Sequence, residues 1–262
     1  MEQHTVFDHK QISFRHRTTT GEVGMHAALH CHNYFEIIYL VSGDVAHVVE
    51  GRHYRVKAGD LILVRPSTAH YLEILSEEPY TRYTILFDPE RHGIPAALQL
   101  PEEMEVVDIS QNGRLKDLFS RLDVYAQAEQ ADFEFLLRLL LNELCMNLLL
   151  FPEGQQHQQP IESPILTRVL DHINEHLFRI QSIEEVAQAL FLSPSYLYGL
   201  FRDSLRKSPK KYILEKRLVA AQRRIRDGGK PTAVCYECGF REYATFYRNY
   251  TSFFGHSPSE EK

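Results

Sequence analysis

The sequence predicts an α+β protein with a β-rich N-terminal part and an all-helical C-terminal part. Short β-branched and aromatic runs fill residues 1–90, helical periodicity follows, and a polar stretch punctuated by Pro and Gly then interrupts the helices. The 262 residues are enough for two domains of ordinary size. A hydrophobic content of 44% and a charged content of 24% exclude disordered, collagen-like and coiled-coil chains.

Charge is distributed unevenly between the two parts. The net charge is −6, yet residues 161–262 hold 16 Lys and Arg against 12 Asp and Glu, whereas residues 1–160 hold 13 against 23. An acidic first part joined to a basic second part indicates two different tasks. A basic surface is compatible with nucleic acid, although basic runs also occur as solvated helix faces.

Five strand-like runs are recognisable in the first part. Turn residues such as Ser42-Gly43 separate them. Many short strands in close succession predict a β-sandwich or barrel. The runs are Tyr34–Val41, Asp44–Glu50, Leu61–Val64, Tyr71–Leu75 and Tyr80–Phe87.

Two helices are predicted between these strands and the polar stretch. Apolar residues at i, i+3, i+4 and i+7 from Leu115 indicate an amphipathic helix. Phe133–Phe151 is apolar almost all round, but the charged residues inside it argue against a membrane span. Such a helix must be buried against its own β-rich part or against a second copy of the chain, so we expect a homodimer.

Because the N-terminus lacks an apolar signal segment and the four cysteines are unevenly spaced, we expect a cytoplasmic protein without membrane association.

Helix start signals are clear after the polar stretch. Ser163-Pro164, Ser193-Pro194 and Ser208-Pro209 each place an N-cap serine before a proline, and Ser182-x-x-Glu185 is a capping box. Two helices joined by a tight turn at 183–204 have helix-turn-helix spacing, in which the second helix enters the major groove of DNA. A similar unit recurs at about 231–254. The repeat predicts two DNA-reading units held apart by one long helix.

Motif residues in both units carry a family resemblance. The first unit contains Ile183-x-x-Val-Ala187, Ser193-x-x-Tyr-Leu197, Phe201, Ser208-Pro209-x-x-Tyr212, Arg217 and Ala221. The second contains Val234, Gly239-Phe240, Phe246, Arg248 and Gly255-x-Ser257-Pro258. In these motifs Ser182–Lys262 resembles the DNA-binding domain of the AraC/XylS family of bacterial transcription regulators. The resemblance implies double-stranded promoter DNA as a partner, and RNA polymerase as a second partner if the protein is an activator.

Candidate DNA contacts follow from side-chain chemistry on the two predicted recognition helices and the long helix. Groups that can address base edges are Ser195, Tyr198, Arg202, Arg241, Glu242, Thr245 and Arg248. Groups assigned to phosphates are Lys210, Lys211, Arg217 and Arg224. The alternative to a DNA contact is, for each of these residues, a solvated position on the surface. Cys235-x-x-Cys238 has the spacing of a redox or metal pair, but we interpret both residues as small core residues.

The β-rich part carries a second motif. Gly24-x5-His30-x-His32-x3-Glu36-x6-Gly43 resembles the first cupin motif, and Gly59-Asp60 followed by His70 resembles the second less closely. The resemblance implies a jelly-roll barrel like the AraC-type arabinose-binding and dimerisation domain. Because alternate side chains share a strand face, we expect His30, His32 and Glu36 to point into one pocket, with Tyr34 and Ile38 beside them and Cys31 facing away.

Three interpretations of this pocket stay open. Three imidazoles and a carboxylate, from His30, His32, His70 and Glu36, could hold a divalent first-row transition metal. The same side chains could instead hydrogen-bond a small effector without a metal, for which a carbohydrate is our expectation, or the pocket could be vestigial. An anionic effector would need arginine, and Arg15, Arg52 and Arg65 are candidates that the sequence does not place.

The resulting prediction is a small-molecule-responsive transcription regulator, not an enzyme. The predicted domains are a cupin barrel at 1–110, a dimerisation segment at 111–151, a linker at 152–162 and a DNA-binding domain at 163–262. The alternatives are a metal-sensing regulator and a metal-dependent cupin oxygenase or isomerase with a DNA-binding tail. The sequence offers no separate acid/base constellation for the latter.

Overall fold

The computed structural model describes residues 2–9, 12–25, 28–151 and 155–261. Its N-terminal part consists of two antiparallel sheets, with strand orders β1-β2-β8-β3-β6-β9-β10 and β5-β4-β7. The strands are β1 (Glu2–His9), β2 (Ile12–Thr19), β3 (Phe35–Ser42), β4 (Val45–Val49), β5 (Arg52–Val56), β6 (Asp60–Val64), β7 (His70–Ile74), β8 (Tyr80–Phe87), β9 (Val106–Asp108) and β10 (Gln156–His157).

The two sheets pack face to face, and their inner surfaces form a core between them. Ile38 and Ile62 of the large sheet meet Val45 and Ile74 of the small sheet in this core. Among the described residues, strand pairing does not run continuously from one sheet to the other. The loop before β3 is linked to β7 by the His30–His70 bridge and by backbone hydrogen bonds of Gly24 and Met25 with Ile74. The closed barrel expected from the cupin resemblance is therefore a two-sheet sandwich here.

Two helices cover the outer face of the large sheet. Helix α1 (Gly113–Tyr125) and helix α2 (Gln130–Leu150) bury Phe119 and Leu141 against Ile37 and Ile85 of the sheet. Because alternate residues of a strand face opposite ways, β3 supplies Ile37 to this core and Ile38 to the core between the sheets. The strand is buried on both faces, which explains its almost continuous apolar sequence.

Among the residues that the structure describes, only one face of α2 is covered. The opposite face exposes large apolar side chains at intervals of about one or two helical turns. These residues, the α2 stripe, are Phe135, Leu139, Met146 and Leu150. Within the described ranges, no helix has the length and apolar character that a membrane crossing requires.

The C-terminal part is helical, as the start signals predict. Ser182, Ser193 and Ser208 each accept a hydrogen bond at the side-chain oxygen from the backbone N–H three residues later. A turn of four residues separates α4 from α5, and a turn of five separates α7 from α8. The helices are α3 (Pro164–His176), α4 (Ile183–Ala189), α5 (Pro194–Leu205), α6 (Pro209–Arg226), α7 (Pro231–Glu237) and α8 (Tyr243–Phe254).

The two parts share a hydrophobic core. Cys31, Val48 and Tyr71 of the β-rich part join a cluster with Leu166 of α3 and Ile213 of α6. The predicted linker contributes to this contact, because β10 pairs with β9 and Ile161 bridges to His53. Residues 152–154 of that predicted linker lie outside the described residues.

Candidate functional site

A cavity of about 420 Å³ lies in the β-rich part. Five of the six predicted pocket residues line it, namely His30, His32, Glu36, Ile38 and His70. His30 and His32 lie before β3 rather than on it, so the backbone there is not a regular strand. The bridge between His30 and His70 nevertheless brings the two motifs together.

The three imidazoles make the same kind of backbone contact through Nδ1. The Nδ1 atoms of His30, His32 and His70 lie 2.9, 3.1 and 3.0 Å from the backbone oxygens of Ala28, Tyr34 and Thr68. A carbonyl oxygen can only accept a hydrogen bond, so each Nδ1 carries a proton, and Nε2 is the ring nitrogen left available to a metal ion. Backbone carbonyls that fix the tautomer in this way are typical of metal-ligating histidines.

Glu36 completes the cluster. Its Oε2 lies 3.1 Å from His32 Nε2 and 3.0 Å from His70 Nε2. Burial raises the pKa of Glu36, but the hydrogen bonds from the two histidines outweigh it, and the pKa falls well below its usual range. The carboxylate is therefore ionised.

The spacing of these atoms fits a metal ion. One ligand atom from each of His30, His32, Glu36 and His70 can be chosen so that all four lie within 4.8 Å of one another. Two ligands ~2.1 Å from one first-row ion and at right angles to each other are ~3.0 Å apart, which matches the separations of the histidine nitrogens from Glu36. Cys31 is buried on the other side of the segment, where burial raises the pKa of its thiol to about 12.

Tyr34 does not line the cavity, contrary to the prediction from strand alternation. Its hydroxyl accepts a hydrogen bond from Arg226 Nη1 at 3.1 Å, and the Arg226 guanidinium lies 5.6 Å from the centre of its ring. The irregular backbone between His32 and Phe35 breaks the alternation and turns Tyr34 toward α6.

Several residues of the site were not found from the sequence. Arg15, Arg17 and Arg82 line the cavity, whereas Arg52 and Arg65 lie in a separate cleft. Of the three arginines that we considered for an anionic effector, only Arg15 therefore belongs to the cavity. Arg17 and Arg82 lie at polar positions of β2 and β8, and this is the one feature of the sequence that could have indicated them. The pairing of two strands that are distant along the chain cannot be inferred from spacing alone.

A further histidine lies behind the cluster. His47 on β4 is fully buried, and its ring centre is 6.0 Å from that of His70. Neither ring nitrogen has a hydrogen-bond partner among the described residues. Burial lowers the pKa of His47 to about 3, so the ring is neutral.

On helix α5, the predicted base-contacting groups differ in exposure. Ser195 and Arg202 are exposed, while Tyr198 is half-buried and packs against the core of the helical part. Arg202 pairs with the neighbouring Asp203, with 2.9 Å between Nε and Oδ1. Tyr196, which is exposed and was not predicted, lies beside Ser195 at the start of the same helix.

At helix α8, Arg241, Glu242 and Arg248 are exposed and Thr245 is half-buried. Glu242 is the N-cap residue, and its side chain accepts a hydrogen bond from Thr245 Oγ1 at 3.3 Å. Tyr247 is a further exposed aromatic residue on this helix that the sequence did not single out.

The four predicted phosphate contacts separate into two classes. Lys210 and Lys211 are exposed at the start of α6, and Arg224 is half-buried, paired with Glu237 at 3.2 Å. Arg217 instead donates from Nε, Nη1 and Nη2 to the backbone oxygens of Leu177, Gly239 and Ile180. Its guanidinium ties together three segments of the helical part, so we reassign Arg217 to a structural role.

The second helical unit has a tightly packed turn. Gly239 has a φ of +79°, and a Cβ there would lie 2.4 Å from the backbone oxygen of Phe178. Cys235 and Cys238 are buried free thiols in the adjacent core with Phe246, which confirms their interpretation as core residues.

Comparison with known proteins agrees with both motifs. Residues 21–149 match the family described as the AraC-like ligand binding domain, and residues 186–262 match a helix-turn-helix domain family. The chain is 25% identical to the HTH-type transcriptional activator RhaS of Escherichia fergusonii over 88% of this chain and 86% of RhaS. It is 29% identical to the probable transcriptional regulator LumQ of Photobacterium leiognathi over 62% of this chain and 68% of LumQ.

A solved structure is similar along nearly the whole chain. Unsaturated-fatty-acid-bound ToxT of Vibrio cholerae aligns with 96% of this chain and 95% of its own, at 13% identity and a TM-score of 0.42. The two family matches and the named relatives agree on one assignment. The chain belongs to the AraC/XylS family of DNA-binding transcription regulators, with an AraC-like ligand-binding domain ahead of a helix-turn-helix domain.

Proposed function

We propose that the chain binds double-stranded promoter DNA through two helix-turn-helix units, α4–α5 and α7–α8, and that a small molecule in the cavity controls this binding. This control is supported by contacts that run from the cavity to helix α6. Asn33, next to His32, contacts α6 directly, and Ala69, next to His70, contacts it through Glu50. Helix α6 connects the two units.

The first of these contacts is next to His32. Asn33 Nδ2 donates to the backbone oxygen of Val219 at 2.6 Å and to Gln222 Oε1 at 3.1 Å, both on α6. Asn33 is buried and its Oδ1 accepts from Ser67 Oγ at 3.2 Å. A shift of His32 on ligand binding would therefore move a group that is bonded to α6.

The second contact is next to His70. The backbone N–H of Ala69 donates to Glu50 Oε1 at 2.8 Å, and the same carboxylate accepts from Lys216 Nζ at 2.7 Å and from the Tyr212 hydroxyl. Lys216 and Tyr212 lie on α6. We call Glu50, Lys216 and Tyr212 the interdomain cluster. It gives the effector a route to the helix between the two DNA-reading units.

DNA readout is tested with a site selected from a random duplex library. Arg248→Ala is expected to lower affinity for the selected site by about 5–150-fold, because a bidentate arginine–guanine contact is worth about 1–3 kcal/mol. Lys210→Ala is expected to weaken selected and random duplexes alike, because a phosphate contact carries no sequence information. Fluorescence anisotropy at fixed salt measures both. Equal losses on selected and random DNA for Arg248→Ala would contradict its assignment to a base.

We also propose that His30, His32, Glu36 and His70 hold a divalent first-row transition metal. The uniform Nδ1 contacts with backbone carbonyls support this proposal. A bound cation would supply a Lewis acid for an oxygen of the effector. The same cluster favours a metal-sensing regulator as the second candidate function, in which the metal itself is the signal.

Metal content distinguishes these possibilities from a metal-free pocket. Protein purified without chelators is expected to hold close to one metal ion per chain by elemental analysis, and His70→Ala is expected to lose most of it. Cys31→Ala is the matched control, because Cys31 lies between two ligands but faces the interdomain core. Wild-type protein without metal would overturn the proposal, and a DNA affinity that depends on metal alone would favour the sensor.

The remaining expectations concern the effector and the partners. A carbohydrate is the effector expected from the family resemblance, and the hydroxyls of Thr19 and Thr84 are neutral groups in the cavity for it. RNA polymerase is the expected partner if the protein activates transcription.

We propose a second copy of the chain as the partner of the α2 stripe. The apolar side chains of the stripe lie along one face of a helix whose other face is already packed.

A further inference from the structure

Three arginines form one wall of the cavity. Arg15 and Arg17 lie on β2, and Arg82 lies on the neighbouring strand β8. Arg17 is directly opposite Arg82 in the register of the two strands, and Arg15 is opposite Thr84. Because alternate residues of a strand share a face, the three side chains leave the same face of the sheet.

This concentration of positive charge is costly without an anion. Like charges directly opposite each other destabilise an antiparallel pair. Burial lowers the pKa of Arg82 and the charge of Arg17 lowers it further, while Tyr80 and Glu36 act in the opposite direction. Arginine remains protonated in proteins, so Arg82 cannot avoid this unfavourable environment by losing its charge.

The cavity itself supplies little compensation. Glu36 is the one carboxylate among its described lining residues, and its Oε2 is already engaged by two histidines. Arg82 Nη1 donates to Thr19 Oγ1 at 3.0 Å, and its guanidinium lies 4.2 Å from the centre of the Tyr80 ring, so both contacts are with neutral groups. Arg15 Nε is buried without a hydrogen-bond partner among the described residues, and its Nη2 is 3.6 Å from Asp8.

The lining also has an apolar portion. Met25, Ile38, Leu72, Ile74 and Leu86 contribute aliphatic or thioether surface to the same cavity. A guanidinium presents two parallel N–H groups that match a carboxylate, and such charge-assisted pairs are among the strongest hydrogen bonds in proteins. A neutral sugar would offer hydroxyl acceptors to the arginines but no negative charge, and its hydroxyl groups would not match the apolar side chains.

Taking the cavity as the effector site of the proposed function, we infer that the effector is a small organic carboxylic acid. The guanidinium groups of Arg82 and Arg15 bind its carboxylate, and the aliphatic side chains enclose its apolar body. The expected ligand is thus an anion, in place of the carbohydrate expected from the family resemblance.

Matched ligand pairs test the inference on the full-length protein. Phenylacetate, benzoate and hexanoate are each compared with their own primary amides, and with glucose, arabinose and rhamnose, by thermal shift and calorimetry at millimolar concentration. At least one acid is expected to raise the melting temperature while its amide does not. Equal shifts for an acid and its amide, or a shift with a monosaccharide and none with any acid, or no shift at all, would overturn the inference.

Variants locate the contact. Arg82→Gln is expected to weaken binding of the acid about 10–100-fold, because a hydrogen bond to a charged group is lost. Arg15→Gln is the second variant in case the first folds poorly. Arg55→Gln is the control, since Arg55 is exposed on β5, pairs with Asp44 and does not line the cavity. Unchanged acid affinity in both cavity variants would contradict the assignment.

The ligand class and the proposed control of DNA binding can fail independently of each other. A sugar that binds and alters DNA affinity would overturn the acid while leaving effector control intact. An acid that binds through Arg82 without any change in DNA affinity would support the ligand class and refute effector control.

Discussion

Lys216→Met is expected to destabilise the full-length protein by about 3–5 kcal/mol, because it leaves the Glu50 carboxylate buried and without its cation. Both side chains are 9% exposed, and Lys216 Nζ also donates to the Ser67 backbone oxygen at 2.7 Å. Methionine keeps the length of the side chain, so the loss reports on charge rather than on volume. Urea denaturation of the full chain measures the change in the free energy of unfolding.

A double variant separates the pair from its parts. Glu50→Gln with Lys216→Met removes both charges and is expected to cost less than the sum of the single variants, since no unpaired charge remains. Arg206→Met is the matched control, because Arg206 pairs with Glu73 across the same interface at 3.7 Å but is exposed, and it is expected to cost less than about 1 kcal/mol. Strictly additive losses would show that Glu50 and Lys216 do not act as a pair.

The interdomain cluster also predicts how the stability of the protein changes with pH. Burial raises the pKa of Glu50, but the Lys216 charge and the hydrogen bonds outweigh it, so the folded-state pKa is lowered. Its contribution to stability is therefore fully present above the unfolded pKa of ~4.3 and is lost as the pH falls through the folded value. The wild-type protein is expected to lose more stability than the double variant on acidification through this range.

Leu139→Lys is expected to weaken self-association by about three orders of magnitude. Leu139 lies in the α2 stripe and is 51% exposed. A buried hot-spot side chain contributes about 2 kcal/mol, and a two-fold interface uses it twice, which gives a combined loss of about 4 kcal/mol. Sedimentation equilibrium of the full chain measures the dissociation constant.

The control for this variant is an exposed apolar residue away from α2. Val23→Lys is expected to leave the oligomeric state unchanged, because Val23 lies in the loop before β3. If the protein is a monomer before substitution, or if Leu139→Lys remains as associated as the wild type, the α2 stripe is not a dimer interface. A monomeric variant is also expected to bind a duplex with two half-sites no more tightly than a duplex with one.

Local sequence patterns predicted many of the strands and helices and five of the side chains that line the cavity. The five predicted strand runs coincide with β3, β4, β6, β7 and β8, and the serine caps mark the starts of α4, α5 and α6. β1, β2 and β5 were not singled out, because polar residues outnumber apolar ones in each of them. The spacing of His30, His32 and Glu36 was sufficient because the three residues are within one short segment.

Only the tertiary structure decided which distant side chains meet. Tyr34 faces Arg226, Arg217 is committed to three backbone oxygens, and Glu50 finds Lys216 across the interface. The arginine wall exists because β2 pairs with β8, although nothing in either strand specifies the other. The sequence by itself therefore determined the periodicity, the helix starts and the ligand motif, which depend on neighbours along the chain. Packing decided the charge and chemistry of the cavity, because those depend on neighbours in space.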